Sequence, residues 1–141
     1  YEELELENQW ICQNCKRKRR AYKFLFLCER PILIITMKRF NDRSQKITTN
    51  VSFPLENLSI KYVVNEENKA SKKNCFKLFA VVNHLGMSAV SGHYTLYMEV
   101  NQNWLKFDDE KVTPIRKEKV NSSNAYTLVY IEKNNFKTLG S

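Results

Sequence analysis

The hydrophobic and polar positions alternate in the manner of short strands separated by polar breaks. Residues 21–29 and 31–40 read as strands, with Pro31 marking a turn or bulge between them. Ile32 to Met37 is dense in β-branched residues and is expected to be a central strand covered on both faces, with Lys38-Arg39-Phe40 carrying it into solvent. Phe76 to Asn83 predicts a strand buried along much of its length. Gly92 to Val100 and Trp104 to Asp109 predict two strands joined at the polar stretch Asn101-Gln102-Asn103. Lys111 to Ile115 is a further short strand, and Ala125 to Ile131 is a strong closing strand. The remaining stretches break this pattern. Residues 41–50 predict a loop with an edge strand around Lys46-Ile47-Thr48, and Val51 to Leu55 breaks at Pro54. Leu55 to Val64 reads as a short docking segment, Asn65 to Asn74 as a mobile charged linker, and His84 to Ser91 as a loop. Arg116 to Asn124 reads as a loop or a turn of helix. No repeat and no long helix emerges. The sum is a mainly β fold, a mostly antiparallel sheet of about six or more strands with one apolar face and little to cover it.

The pair Gly92 to Val100 and Trp104 to Asp109 supports a test of register. If Asn101-Gln102 is a two-residue turn, Val100 pairs with Asn103, Glu99 with Trp104 and Thr95 with Asp108. His93 and Asp108 then share a face on a diagonal, where Cβ atoms stand roughly 7 Å apart. An imidazole and a carboxylate so placed are the base and orienting acid of a nucleophilic site. A three-residue loop without a bulge would put Asp108 on the opposite face, and Asn-Gln is a weaker hairpin signal than Asn-Gly. The spacing alone also admits a structural histidine satisfied by a local acceptor.

Composition narrows the class. At 141 residues with 43% hydrophobic and 12% aromatic content, the chain fits one domain with a core. With 3 Gly and 3 Pro it is neither linker nor low-complexity sequence. No apolar run reaches membrane-spanning length. The acidic start Tyr1-Glu2-Glu3-Leu4-Glu5 lacks both a signal-like character and a methionine, so an excised piece of a longer protein is expected. The formal charge of +8 admits an acidic partner, but Lys16 to Arg20 and Lys111 to Lys119 lack interleaved stacking aromatics and read as solvated faces. Of the four cysteines, Cys12 and Cys15 form one CxxC knuckle, while Cys28 and Cys75 read as buried strand residues. Tetrahedral zinc needs two ligands beyond a single knuckle. The second pair lies in sequence not present, the knuckle is a vestige, or it is redox-active, with the basic neighbourhood lowering a thiol pKa. The lack of a signal and the abundance of Lys lead to an expectation of a reducing compartment.

The order of motifs resembles the C-terminal half of the catalytic domain of ubiquitin-specific proteases, papain-like cysteine deubiquitinases. The matching stretches are Trp10 to Cys15, Arg30 to Phe40, Phe53-Pro54 with Leu58, and Phe76 to Gly86. They continue through Ser91-Gly92-His93-Tyr94-Thr95-Leu96-Tyr97, Trp104-Leu105-Lys106-Phe107-Asp108-Asp109 and Ala125 to Tyr130. The Gly-His-Tyr plus Trp-x-x-Phe-Asp-Asp pairing is the specific part. The resemblance implies a palm-like sheet from an α+β papain-like fold, incomplete without its thumb. It divides the chain into a fingers portion over about 1–30, a palm over about 31–131 and a tail over 132–141. It also makes His93 the general base, Asp108 the orienting acid and Asp109 an adjacent acid of the transition-state site. Asn83 to Ser91 matches a loop that holds the ubiquitin tail, so Asn83, His84, Gly86, Ser91, Gly92 and Tyr94 are expected at the substrate. Gly92 would leave backbone room for a narrow Gly-Gly tail. Cys12 and Cys15 would be half of a finger zinc site, with no cofactor needed for catalysis.

The chain departs from the family pattern in one large respect. The family's nucleophilic cysteine lies upstream in the thumb, and Cys12, Cys15, Cys28 and Cys75 match no such position. Alone, the chain is expected to be inactive. Its partners are expected to be ubiquitin and an upstream thumb segment carrying the cysteine, on the same or a separate chain, in the cytoplasm or nucleus and with no membrane. The alternative is a silent ubiquitin-binding scaffold. A basic nucleic-acid module built on Lys16 to Arg20 is the weakest reading, since nothing in it reads a groove.

Overall fold

A computed structural model describes residues 2–4, 9–23, 31–65, 70–88 and 90–135. Two small antiparallel pairs come first in the chain. Strand β1 (Glu2–Leu4) pairs with β4 (Ala21–Lys23), and β2 (Trp10–Ile11) pairs with β3 (Lys18–Arg19). Cys28 and residues 24–30 lie outside the described residues. The main body is a seven-stranded antiparallel sheet. It comprises β5 (Ile32–Thr36), β6 (Leu58–Asn65), β7 (Ala70–Ser88), β8 (Ser91–Val100), β9 (Asn103–Asp108), β10 (Lys111–Pro114) and β11 (Ala125–Glu132). The hydrogen-bonded path runs β10-β9-β8-β7-β11-β5, and β6 pairs with the first half of β7.

Three expectations change in this arrangement. Ile32–Thr36 is the end strand of the path, paired with β11 alone, and Ile32, Ile34 and Ile35 are exposed. A run of β-branched residues signals a strand but does not say how many neighbours it has. Leu58–Asn65 and Ala70–Phe76 are paired antiparallel strands and not a docking segment and linker, Leu58 pairing with Phe76, Lys61 with Lys73 and Asn65 with Ala70; the part of the expected linker over residues 66–69 lies outside the described residues. Residues 84–91 are not a loop either, because β7 continues to Ser88 and β8 begins at Ser91. Gly86 absorbs the irregular register there, at φ 140°.

The core lies on one face, where Phe76 and Leu78 of β7, Trp104 of β9, and Leu128 and Tyr130 of β11 pack with Phe53 and Val120. Burial on this scale, at about 25 cal/mol per Å² of apolar surface, is the main stabilising term. The segment ending at Pro54 is pinned across it, since the Tyr130 hydroxyl donates to the Pro54 carbonyl at 2.8 Å. Burial pushes the Tyr130 pKa up to about 12.

Arg39 and Lys46 are buried cations. The Arg39 guanidinium donates to the carbonyls of Ala125 (2.8 Å), Ile47 (3.1 Å) and Thr49 (2.6 Å). Arg39 therefore turns into the protein and not out into solvent, while Lys38 stays exposed, because three carbonyls replace water around the Arg39 charge. Gln45 and Lys46 make isolated bridges to Ser88 and Phe40 in place of an edge strand. Residues 117–119 and 133–135 form single 3-10 turns, the second following directly on Glu132. No helix among the described residues is long and apolar enough to cross a membrane.

Candidate active site

The β8–β9 hairpin carries the site. Val100 pairs with Asn103, Glu99 with Trp104 and Leu96 with Phe107. Asn101 (φ 48°) and Gln102 (φ 66°) are both left-handed, as a two-residue type I′ turn demands. This register puts His93, near the start of β8, beside Asp108, the last residue of β9. The distance from His93 Nε2 to Asp108 Oδ1 is 2.5 Å. Asp109 follows in the turn to β10, in the left-handed region at φ 52°, which a short polar side chain tolerates. Ligand atoms of His93, Asp108 and Asp109 all lie within 4.8 Å of one another.

The electrostatics follow from these contacts. The hydrogen bond to Asp108 raises the His93 pKa above its ordinary value, and the charges of Asp109 and Asp108 add to the effect. Lys106, two residues before Asp108 and on the same face of β9, places Nζ 2.6 Å from Asp108 Oδ2. Asp108 is held below the usual carboxylate range, first by Lys106 and then by His93. Its two oxygens thus serve two cations, one fixed and one titratable. An imidazole kept partly exposed and held against an ionised acid can store a proton and return it.

The other expected residues divide into two groups. Gly86, Ser91, Gly92 and Tyr94 are exposed around the β7–β8 end. Asn83 and His84 are each 1% exposed and lie within β7, so neither is a surface loop residue. Asn83 Oδ1 accepts from Ser122 Oγ at 3.3 Å, and the backbone N–H of His84 donates to the Asn124 carbonyl. Asn83 falls at the end of the strand expected to be buried, whereas the inward placement of His84 lies in a strand extension through a polar stretch. The room at Gly92 is also not empty. A Cβ there would stand 2.1 Å from His84 Nε2 and 2.7 Å from the Leu85 carbonyl oxygen.

No cysteine sulfur joins the His93 cluster among the described residues. Cys75 pairs with Ser59, ten residues along β7 from Leu85, which pairs with His93. At about 3.3 Å per residue that is roughly 30 Å away. Cys12 and Cys15 lie in the turn between β2 and β3, where the Lys16 N–H donates to the Cys12 carbonyl and Lys16 is left-handed. Backbone N–H groups of Cys15 and Asn14, with the Cys15 side chain, lower the Cys12 pKa. A turn that aims N–H groups at a sulfur suits a thiolate ligand, so two donors fit zinc. No third ligand joins them among the described residues.

Comparison with known proteins bears on the whole chain. The family model described as ubiquitin carboxyl-terminal hydrolase matches residues 3–130. Human ubiquitin carboxyl-terminal hydrolase 3 is 35% identical over 136 residues, covering 93% of this chain and 26% of the relative. Ubiquitin carboxyl-terminal hydrolase 5 of Arabidopsis thaliana is 35% identical over 139 residues, covering 94% of this chain and 15% of the relative. The chain thus spans about a quarter or less of the relatives it matches. Among solved structures, a SAGA DUB module containing Ubp8, Sgf11, Sus1 and Sgf73 superposes with a TM-score of 0.63 at 25% identity, over 94% of this chain and 30% of that one. A second such module, bound to monoubiquitin, shares the fold at 23% identity with a TM-score of 0.61, over 94% of this chain and 30% of that one. With the family model matching residues 3–130 of its 141, the chain belongs to the ubiquitin carboxyl-terminal hydrolase family.

Proposed function

We propose that this chain supplies the general base and orienting acid for thiol-dependent hydrolysis of isopeptide or peptide bonds at the C-terminal glycine of ubiquitin. The observation that carries the reading is the 2.5 Å contact of His93 with Asp108, in a family member. In this scheme an upstream thumb segment brings the cysteine nucleophile. The raised His93 pKa favours the imidazolium, which keeps the thiol ionised. The thiolate attacks the glycine carbonyl, and His93 gives its proton to the departing lysine amine as the C–N bond breaks. A water then loses its proton to His93 and attacks the thioester, and the thiolate leaves. Asp108 holds the tautomer and stabilises the imidazolium throughout. Asp109 is the neighbouring acid that organises the transition-state site.

The exposed residues Gly86, Ser91, Gly92 and Tyr94 form the rim along which the substrate tail would lie. Asn83 and His84 support that rim from inside. Cys12 and Cys15 supply two ligands of a structural zinc, which would lock the finger turn and take no part in the reaction.

The test uses the full-length protein and a ubiquitin C-terminal fluorogenic amide. His93→Ala and Asp108→Asn are each expected to lower kcat by about 10²–10⁴-fold. The 141-residue chain alone is expected to show no turnover until the upstream segment is added. A full-length protein that binds ubiquitin, yet never reacts with an electrophilic ubiquitin probe, would overturn the catalytic reading and leave a binding scaffold.

A further inference from the structure

His84 is a buried titratable side chain that the proposed chemistry does not use. It is 1% exposed, and its Nδ1 is buried with no hydrogen-bond partner. Its ring sits among three aromatic rings, with centroids 5.5 Å from Phe40, 4.9 Å from Tyr94 and 6.1 Å from Tyr126. Both backbone groups are tied. The N–H donates to the Asn124 carbonyl at 2.9 Å, and the carbonyl accepts from the buried Lys46 ammonium, which also reaches Asn124 Oδ1 at 3.3 Å. The tied backbone and the three surrounding rings together hold the imidazole in place. Burial and the nearby Lys46 charge keep it neutral by lowering its pKa.

The ring's remaining side meets Gly92. His84 pairs with Tyr94 and Leu85 pairs with His93, so Gly92 lies one residue before His93 on the adjacent strand. The Cβ that Gly92 lacks would fall inside the His84 ring's van der Waals surface, 2.1 Å from Nε2. The absent side chain is thus the space in which His84 sits. The ring and the first residues of β8 fix each other's positions, and β8 carries His93 to Asp108.

We propose that His84 is a positioning residue for His93: its clamped imidazole, filling the space beside Gly92, sets the entry of β8 and so the alignment of His93 with Asp108. This rests on His93 being the base. The two ideas fail separately, because loss of the base lowers kcat by about 10²–10⁴-fold while loss of positioning moves a titration.

The experiment is the pH profile of kcat/KM for the full-length protein and its His84→Ala variant, with a ubiquitin fluorogenic amide. In a thiol hydrolase the basic limb reports loss of the imidazolium proton. Removing the ring is expected to loosen the His93–Asp108 contact, lower kcat/KM by about 10–100-fold and move the basic limb toward neutral pH. The limb's position does not depend on how much protein is active, so simple destabilisation lowers the curve without moving it. His84→Asn, shorter but still planar and polar, is expected to move the limb less and in the same direction. It keeps the test open if the alanine variant does not fold. A basic limb unmoved in whichever of these variants folds would overturn the positioning role. A kcat left undiminished by His93→Ala would instead overturn the assignment of the base.

Discussion

Lys106 changes how the His93–Asp108 pair should titrate. Asp108 gives one oxygen to His93 and the other to Lys106, at 2.5 Å and 2.6 Å. The lysine holds the acid ionised but opposes protonation of the imidazole by its own charge. His93 and Asp108 are both partly exposed, so solvent and salt weaken these effects without reversing them. The chain has only 2 histidines, and they shift in opposite directions, His93 up and His84 down. Proton NMR of the chain should therefore show one histidine titrating above the ordinary value of 6.5 and one below it. Lys106→Met is expected to move the upper titration higher still, and Asp108→Asn to return it toward 6.5. An upper titration that falls in Lys106→Met would refute the opposing role of the lysine. The same shifts set the pair's contribution to stability. The folded state holds the His93 proton more tightly, so that contribution is complete below the unfolded-state value near 6.5 and fades as pH rises through the folded-state value. The depressed Asp108 acts in the opposite sense, present above about 3.8 and lost as pH falls through its folded value.

At the scale of elements, the β2–β3 turn and the β8–β9 hairpin are both local devices, yet they differ in completeness. The hairpin contains every residue its register needs. The β2–β3 turn presents two sulfurs, half the set that tetrahedral zinc takes. The full-length protein is expected to bind zinc, and Cys12→Ser with Cys15→Ser to release about one equivalent per chain. Elemental analysis after dialysis against a weak chelator measures this. Equal zinc in variant and wild type would exclude the knuckle as a ligand pair. The same contrast explains what the sequence discloses. The Asn101-Gln102 turn and the two-residue period place His93 beside Asp108 by arithmetic, because a hairpin's register is set by nearby residues. The β6–β7 pair escapes the same reading, since its lysines and asparagines mimic a linker and only its partner strand reveals pairing. Long-range facts are hidden for a further reason. Arg39 is a surface type by composition, and its burial depends on carbonyls of Ala125, Ile47 and Thr49 that converge only in the fold. The inward turn of His84 has the same origin, with the glycine at position 92 as its one trace in the sequence.

For the molecule as a whole, the sheet's two ends are unlike. Past β7, the β8–β9–β10 end carries the site, while at the other end β5 exposes a run of isoleucines. Ile34 is 63% exposed and Ile32 47%, on the face of β5 that points away from Leu33 and the core. They pair with Val129, half-buried, and Ile131, buried, of β11, so the exposed apolar stripe lies along β5 itself, at an edge with no described partner. Such an edge recruits another strand or another copy unless something covers it or charge opposes it. The formal charge of +8 supplies opposition between copies, which salt screens. The 141-residue chain by itself is therefore expected to associate as concentration and ionic strength rise together, contrary to an ion-paired contact, which salt would weaken. Ile34→Lys places a charge in the middle of the stripe, and an edge lysine is a common guard against strand addition. Sedimentation velocity at low and high ionic strength separates the cases. Wild-type chain should sediment as larger species at high salt, and Ile34→Lys should remain monomeric under both conditions. A wild-type chain that stays monomeric at high salt and high concentration would show that the stripe is too small to drive association. In the full-length protein the Ile34→Lys effect should vanish if an upstream segment already covers β5, and that comparison tells whether the exposed end is a feature of the isolated chain or of the complete molecule.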